Sequence, residues 1–245
     1  MKYYGRSDIG LIRKTNQDYY QVVINSLGYM LAIVCDGVGG GLAGDVASKD
    51  ACTVFAERFL QLDIDLSDKQ MRNWIKTTIY EVNDHVLHLA GTSDDYRGMS
   101  TTLVAALLSN ENIYIINVGD SRAYGFKDDE LKQLTKDHTL IQSLIDQKLI
   151  TNEQAFDHPH RHILTNAIGI PNDIKIDIFK IDLDYGLILL ASDGLHGYMM
   201  DDEIKKIIAK DKSLKKITDN LIKNANKKGG FDNTTIILIG DQTYE

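Results

Sequence analysis

Residues 101–118 read TTLVAALLSNENIYIINV: two short runs rich in β-branched and aliphatic residues, Thr101 to Leu108 and Asn112 to Val118, split by the polar stretch Ser109 to Asn112. A link this short cannot hold the helical crossover that parallel strands need, so the two runs must pair antiparallel. Working outward, further strand-like runs lie at Tyr29 to Cys35, Ile174 to Ile181, Leu187 to Ala191 and Thr234 to Ile239. The short DYG before Leu187 predicts a second hairpin there.

Helical patterns come in bunches instead of alternating with these strands. One places Ala47, Ala51, Val54, Phe55 and Phe59 on a single face. The next opens with a Ser67/Gln70 capping box and carries Met71, Trp74, Ile75, Ile79, Val82, Val86 and Leu89 at helical spacing. A second pair, DDEIKKIIAKD and SLKKITDNLIKNANKKGG, closes at Gly229. Hairpins with helix pairs outside them predict an α+β layered sandwich, not a doubly wound parallel sheet.

The chain has 245 residues and only two prolines, and no linker or repeat interrupts it, so a single domain spanning 1–245 is expected. A net charge of −8 argues against a protein that binds nucleic acid by neutralising phosphates. The start, MKYYGRSDIG, lacks an apolar signal core, and the apolar runs fall far short of the roughly 20 residues a membrane helix needs, so no membrane insertion and a cytoplasmic location are expected. Cys35 and Cys52 form no CxxC pair and read as buried thiols.

Chemistry enters with the placement of aspartates. Asp36 follows LAIVC, Asp120 follows IYIINVG, Asp193 follows LILLAS, and Asp232 precedes NTTIILI. Any one of these reads as a turn former. Four at strand ends, gathered on one edge of a sandwich, would repel each other unless cations intervened. A donor set of carboxylates, carbonyls and water suits hard ions such as Mg²⁺ and Mn²⁺. The glycines of DGVGGGLAG (36–44) suit this reading: Gly37 can turn its carbonyl toward a metal, and Gly39 to Gly41 leave room for substrate.

Rival readings fail on context. Gly39, Gly41 and Gly44 satisfy GxGxxG, but helix follows helix where a dinucleotide fold needs a parallel strand. No lysine and Ser/Thr pair follows for a P-loop, and Gly41 stands where a cysteine phosphatase needs its arginine. Ser192, Asp193 and His196 are too close together to form a triad. His158, His160 and His162 read as a solvated loop, and the lysines from Lys205 to Lys228 as a solvated helix face.

Taken in order, SDIGLIRKTNQD, DGVGGGLAGDVAS, GMSTTLVAAL, NVGDSRAY, LTKDHTLIQSLIDQKLIT, HILTNAIG, LLASDGL and GGFDNTTIILI resemble the metal-dependent Ser/Thr protein phosphatases of type 2C, in their compact bacterial form. The resemblance implies a four-layer sandwich of two antiparallel β-sheets flanked by helix pairs, with a small flap subdomain at about 139–161. It implies two core Mn²⁺ or Mg²⁺ ions: Asp36 bridging both, Asp193 and Asp232 on the first, the Gly37 carbonyl on the second. Asp18 would hold metal-coordinated water, and Asp120 with Asp193 would take a third ion. Arg13 would grip the substrate phosphate, and hydroxide bridging the core ions would attack phosphorus directly. Phosphorylated proteins would be the substrates, a Ser/Thr kinase the enzyme whose output is reversed, and the working state a monomer.

Two positions depart from the family pattern. Gln17 stands where many members carry glutamate, which weakens the second metal position. Val38 stands where eukaryotic members have a histidine proposed as general acid. Within the flap, Leu140, Ile141, Leu144, Ile145 and Leu149 are expected on one helical face, with a Thr151/Gln154 capping box starting a further turn.

Overall fold

The computed structural model describes residues 1–39, 43–151, 154–155, 158–171 and 173–245. The first hairpin is as read: β5 (Leu103–Leu108) and β6 (Ile113–Val118) pair antiparallel, Leu103 opposite Val118 and Leu108 opposite Ile113. They belong to a sheet ordered β2 (Asp18–Ile24), β3 (Met30–Val38), β5, β6, β9 (Asp177–Ile181), with the two-residue β4 (Ser100–Thr101) also on β3. The second sheet runs β1 (Lys2–Asp8), β11 (Thr234–Gly240), β10 (Leu187–Ala191), β7 (Arg122–Lys127), β8 (Glu130–Gln133). Every pairing among these strands is antiparallel.

The central strands read as unbroken apolar runs because both their faces are covered. In β3, Ala32 and Val34 point between the sheets while Leu31, Ile33 and Cys35 point outward. In β11, Ile237 and Ile239 face inward and meet Ile188 and Leu190 of β10, while Ile236 and Leu238 face the other way. The outward face of the first sheet packs under α1 (Ala43–Leu60) and α2 (Asp68–Ala90). There Ala47, Ala51, Phe55 and Phe59 are fully buried, and Trp74 stacks on Phe55 with ring centroids 6.2 Å apart. The Ser67/Gln70 cap is formed, Gln70 accepting from the Ser67 N–H at 3.1 Å. The other sheet is covered by α4 (Asp193–His196), α5 (Asp201–Ile208) and α6 (Leu214–Lys227), which follow a separate short helix, α3 (Leu140–Asp146). The result is the expected sequence of four layers, helices, sheet, sheet, helices.

Three expectations need correction. The DYG turn does not close a hairpin: β9 pairs with β6 in one sheet and β10 with β7 and β11 in the other, so this turn carries the chain between sheets. The run from Ile174 to Ile181 enters its sheet only at Asp177. Strands β1, β2, β7 and β8 escape the sequence pattern: β1, β2 and β8 lie at sheet edges, where polar content (KYYGRSD, DYYQVVI, ELKQ) hides the period-two pattern, and the interior strand β7 (RAYGFK) is too short and too mixed to show one.

In the proposed flap segment, Thr139 caps α3, accepting from the Gln142 N–H at 3.1 Å, and a bridge between Thr139 and Leu164 closes the base. Ile141 is buried as anticipated, whereas Leu149 lies beyond the helix and is 64% exposed. The Thr151/Gln154 cap forms, with Gln154 accepting from the Thr151 N–H at 2.9 Å. Residues 152–153 and 156–157 of this segment, and Gly40 and Gly41 of the glycine stretch, lie outside the described residues.

Candidate metal centre

Asp36 and Asp18 face each other across β3 and β2. Asp36 lies inside β3, one step further along the strand than read from sequence. The register with the opposite chain is kept, yet at Asp36 the N–H donates to Thr102 Oγ1 (3.0 Å) while the Asp36 carbonyl accepts from the Thr102 N–H (2.9 Å) and Thr101 Oγ1 (2.9 Å). Two threonines thus fix the Asp36 backbone from one side, and Thr102 Oγ1 also shares a hydrogen bond with Ser121 (2.7 Å), next to Asp120.

Gly37 is required for a reason besides its carbonyl. A Cβ there would collide with the Gly44 carbonyl and sit 2.8 Å from the Gln17 carbonyl, so three backbone segments meet where only glycine fits. Its N–H donates to Gln17 O at 3.0 Å.

Asp120 follows Gly119, which takes φ +106 and whose N–H donates to His138 Nδ1 at 3.1 Å. Asn166 Nδ2 approaches the same nitrogen at 2.8 Å, and His138 Nε2 lies 3.0 Å from Asp177. With Nδ1 accepting, the ring carries its proton on Nε2, and burial holds its pKa below the usual histidine value. This buried histidine ties the Asp120 turn to the base of the flap segment.

Asp193 opens α4 directly after β10. Its neighbour Ser192 is fully buried, donates to Asp18 Oδ2 at 2.7 Å and accepts from the Thr235 N–H at 2.9 Å. Asp232 sits before β11 and bridges to Arg13 Nη2 at 2.8 Å. Asn233 stitches the Arg13 loop down, accepting from the Gln17 N–H (2.9 Å) and donating to the carbonyls of Ile9 (2.9 Å) and Thr15 (3.1 Å).

Arg13, Asp36, Gly37, Asp120, Asp193 and Asp232 line one cavity of about 700 Å³. His162 and Tyr198 line it too, and His162 Nδ1 stands 3.6 Å from Asp193. Sequence reasoning placed His162 in a solvated loop; its approach to Asp193 is a long-range contact that local pattern does not encode. Thr102, Ser192, His138 and Asn233 were missed for the same reason, since their partners are remote in sequence.

Loss of water, and then the charges of Asp18, Asp193, Asp120 and Asp232, hold the Asp36 carboxyl well above the usual carboxylate range. Burial and Asp193 raise Asp120 strongly, Arg122 only partly opposing them. Burial and Asp193 raise Asp232 against the pull of Arg13. Burial pushes Asp18 up to about 7 despite the Ser192 and Thr235 hydroxyls.

Among the described residues, no three His, Cys, Asp or Glu side chains close into a finished ion-binding group; the carboxylates share a cavity without converging further. The donor set nevertheless fits hard divalent ions. It is all oxygen, burial and neighbouring carboxylates favour the neutral form of Asp36, Asp120 and Asp232, and buried Asp18 Oδ1 has no hydrogen-bond partner among the described residues.

A family profile for protein phosphatase 2C matches residues 13–234. The serine/threonine phosphatase stp of Listeria innocua is 36% identical over 235 residues, 96% of this chain and 93% of its own length. Protein phosphatase PhpP of Streptococcus pneumoniae is 36% identical over 95% of this chain and 94% of its own. In three dimensions, the serine/threonine phosphatase Stp1 of Staphylococcus aureus superposes with a TM-score of 0.93 at 35% identity, covering 98% of this chain and 95% of that one. The serine/threonine phosphatase PstP/Ppp of Mycobacterium tuberculosis gives 0.85 at 30% identity, over 97% of each chain. With profile, relatives and fold agreeing over almost the whole length, the chain belongs to the protein phosphatase 2C family.

Proposed function

We propose that this protein hydrolyses phosphoserine and phosphothreonine monoesters in proteins with the help of Mn²⁺ or Mg²⁺. The observation that carries this reading is that Asp36, Asp120, Asp193 and Asp232 line one cavity together with Arg13. Asp36 would touch both core ions, Asp193 and Asp232 the first, the Gly37 carbonyl the second, and Asp120 with Asp193 a third. Asp18, one step back in the pocket wall, would orient coordinated water. When bound, such ions provide a nucleophile at neutral pH and counter-charge for the phosphoryl oxygens.

The chain's own residues supply the remainder. Arg13 presents a planar fork of N–H donors, one nitrogen of which is held by Asp232, so the guanidinium is aimed before substrate arrives. A phosphoryl group laid against it is oriented in line and its charge is offset. Covalent routes are closed: the Cys35 thiol is fully buried and pushed up by burial and by Cys52, and the Ser192 hydroxyl is buried and committed to Asp18. With those two nucleophiles set aside, direct attack of water on phosphorus is the route this reading takes. Gln17, whose side chain lies against Gly44, would offer the second ion an amide where a carboxylate would bind more strongly.

In the cell we place the enzyme in the cytoplasm as a monomer that reverses a Ser/Thr kinase; no described helix is long and apolar enough to cross a membrane. Phosphopeptide against small phosphorylated metabolite is the test of substrate class. The phosphothreonine peptide is expected to show a kcat/KM at least about tenfold higher, one factor of ten being about 1.4 kcal/mol of extra transition-state binding. A preference for the metabolite would move the assignment to a metabolic phosphatase.

A further inference from the structure

A second hollow of about 540 Å³ adjoins the carboxylate cavity and shares Asp120, His162 and Asp193 with it. It lies between the flap helix α3 and the corner where α4 leads into α5. Its walls are partly apolar, through Ile141, Ile145, Met199 and Met200, and Asp201 and Asp202 line it from the exposed first turn of α5. The basic groups around it are already engaged. Arg122 makes a two-pronged bridge to Asp137, with Nε at 3.0 Å and Nη2 at 2.7 Å, and the Arg161 guanidinium lies over the Tyr198 ring at 5.8 Å. Asp201 and Asp202, by contrast, enter no salt bridge among the described residues.

His196 also lines the hollow. It is only 7% exposed, one ring nitrogen bonds the Asp120 carbonyl, and Nε2 has no partner among the described residues. A neutral ring arranged this way presents an acceptor, so the hollow holds a buried polar atom that suits a hydrogen-bond donor.

We propose that this hollow is a specificity subsite for a lysine or arginine side chain of the phosphoprotein, placed close in sequence to the phosphoresidue. This rests on the phosphatase reading above and names the class of protein substrate it prefers. A long aliphatic stem tipped by a cation is the chemistry that matches: the stem lies on Ile145, Met199 and Met200, and the head reaches Asp201 and Asp202. The methionines let the wall adapt to either stem. Because the two hollows share Asp120, His162 and Asp193, the occupant belongs to the chain whose phosphate lies in the neighbouring cavity. A glutamate or second phosphate in the same place meets like charge and is rejected.

The experiment uses a phosphothreonine peptide in which lysine, alanine or glutamate occupies each flanking position in turn. The full-length enzyme and the Asp201→Asn/Asp202→Asn variant are compared, with an aryl phosphate as reference. At one position lysine should exceed alanine in kcat/KM by roughly fivefold, as two partly solvated ion pairs allow, with glutamate below alanine. The variant should lose most of that preference and keep aryl phosphate turnover, and added salt should shrink the preference in the wild type. Normal peptide and aryl phosphate turnover without any lysine preference, or a preference untouched by the double variant, overturns the subsite and leaves the phosphatase reading standing. No turnover of any phosphomonoester overturns both.

Discussion

Asp36 shares its pocket with Asp120, Asp193 and Asp232, with Asp18 just behind, and burial together with their charges makes a stability prediction with a definite sign. A carboxyl whose folded pKa is raised contributes stability below its ordinary value of 3.8 and loses it as pH rises through the folded value, which for Asp18 is about 7. His138 runs the other way, its lowered pKa costing stability as pH falls below 6.5, but it is one group against several. Stripped of divalent ions, the protein should therefore weaken between about pH 4 and pH 7 and above. Asp36→Asn in the stripped protein should raise Tm at pH 8 by about 2–8 °C, the equivalent of about 1–2 kcal/mol, and do little at pH 4. Thermal melts would decide; equal Tm values at pH 8 would show that the carboxylates do not oppose one another. The aspartates themselves were legible in the sequence because Asp beside Gly or Asn at a strand end is local punctuation. Their supports were not: Ser192 meets Asp18 across 174 residues of chain, and Asn233 holds Thr15 across 218.

At the scale of elements, strong periodicity marks its own structure and diluted periodicity does not. The helices α1 and α2 and the hairpin β5–β6 follow directly from apolar spacing. The β9–β10 link misled because a short turn says that two strands run opposite ways, but not that they lie in one sheet. The proposed flap segment, about 139–161, is held at its base by Thr139 with Leu164 and by the His138, Asn166 and Asp177 network, while Leu149 stays exposed. Such a segment suits selection of protein substrates more than chemistry. Shortening it should lower kcat/KM on a phosphoprotein by about tenfold or more and change aryl phosphate turnover by less than about twofold. Parallel kinetics on both substrates would check this, and equal losses would remove the flap from substrate choice.

Across the whole molecule, two sheets packed face to face bring the ends of β3, β6 and β10 and the start of β11 to one rim, and the carboxylates go with them. The outer helices lend no described carboxylate to that rim except Asp193, at the very start of α4. The core thus fixes the cavity, and segments from both sheets line it. That division explains why the fold class and the strand-end aspartates could be read from one chain, whereas the hollow beside the cavity depends on how the proposed flap segment folds. The most direct test of the account is phosphate release from a phosphothreonine peptide by ion-stripped protein, before and after Mn²⁺ is restored, beside Asp36→Asn and Asp193→Asn. Activity that appears with Mn²⁺ and falls by about 100-fold or more in both variants is the predicted result. A wild-type protein that binds Mn²⁺ and the phosphopeptide yet releases no phosphate would contradict it and identify a phosphoprotein-binding module instead.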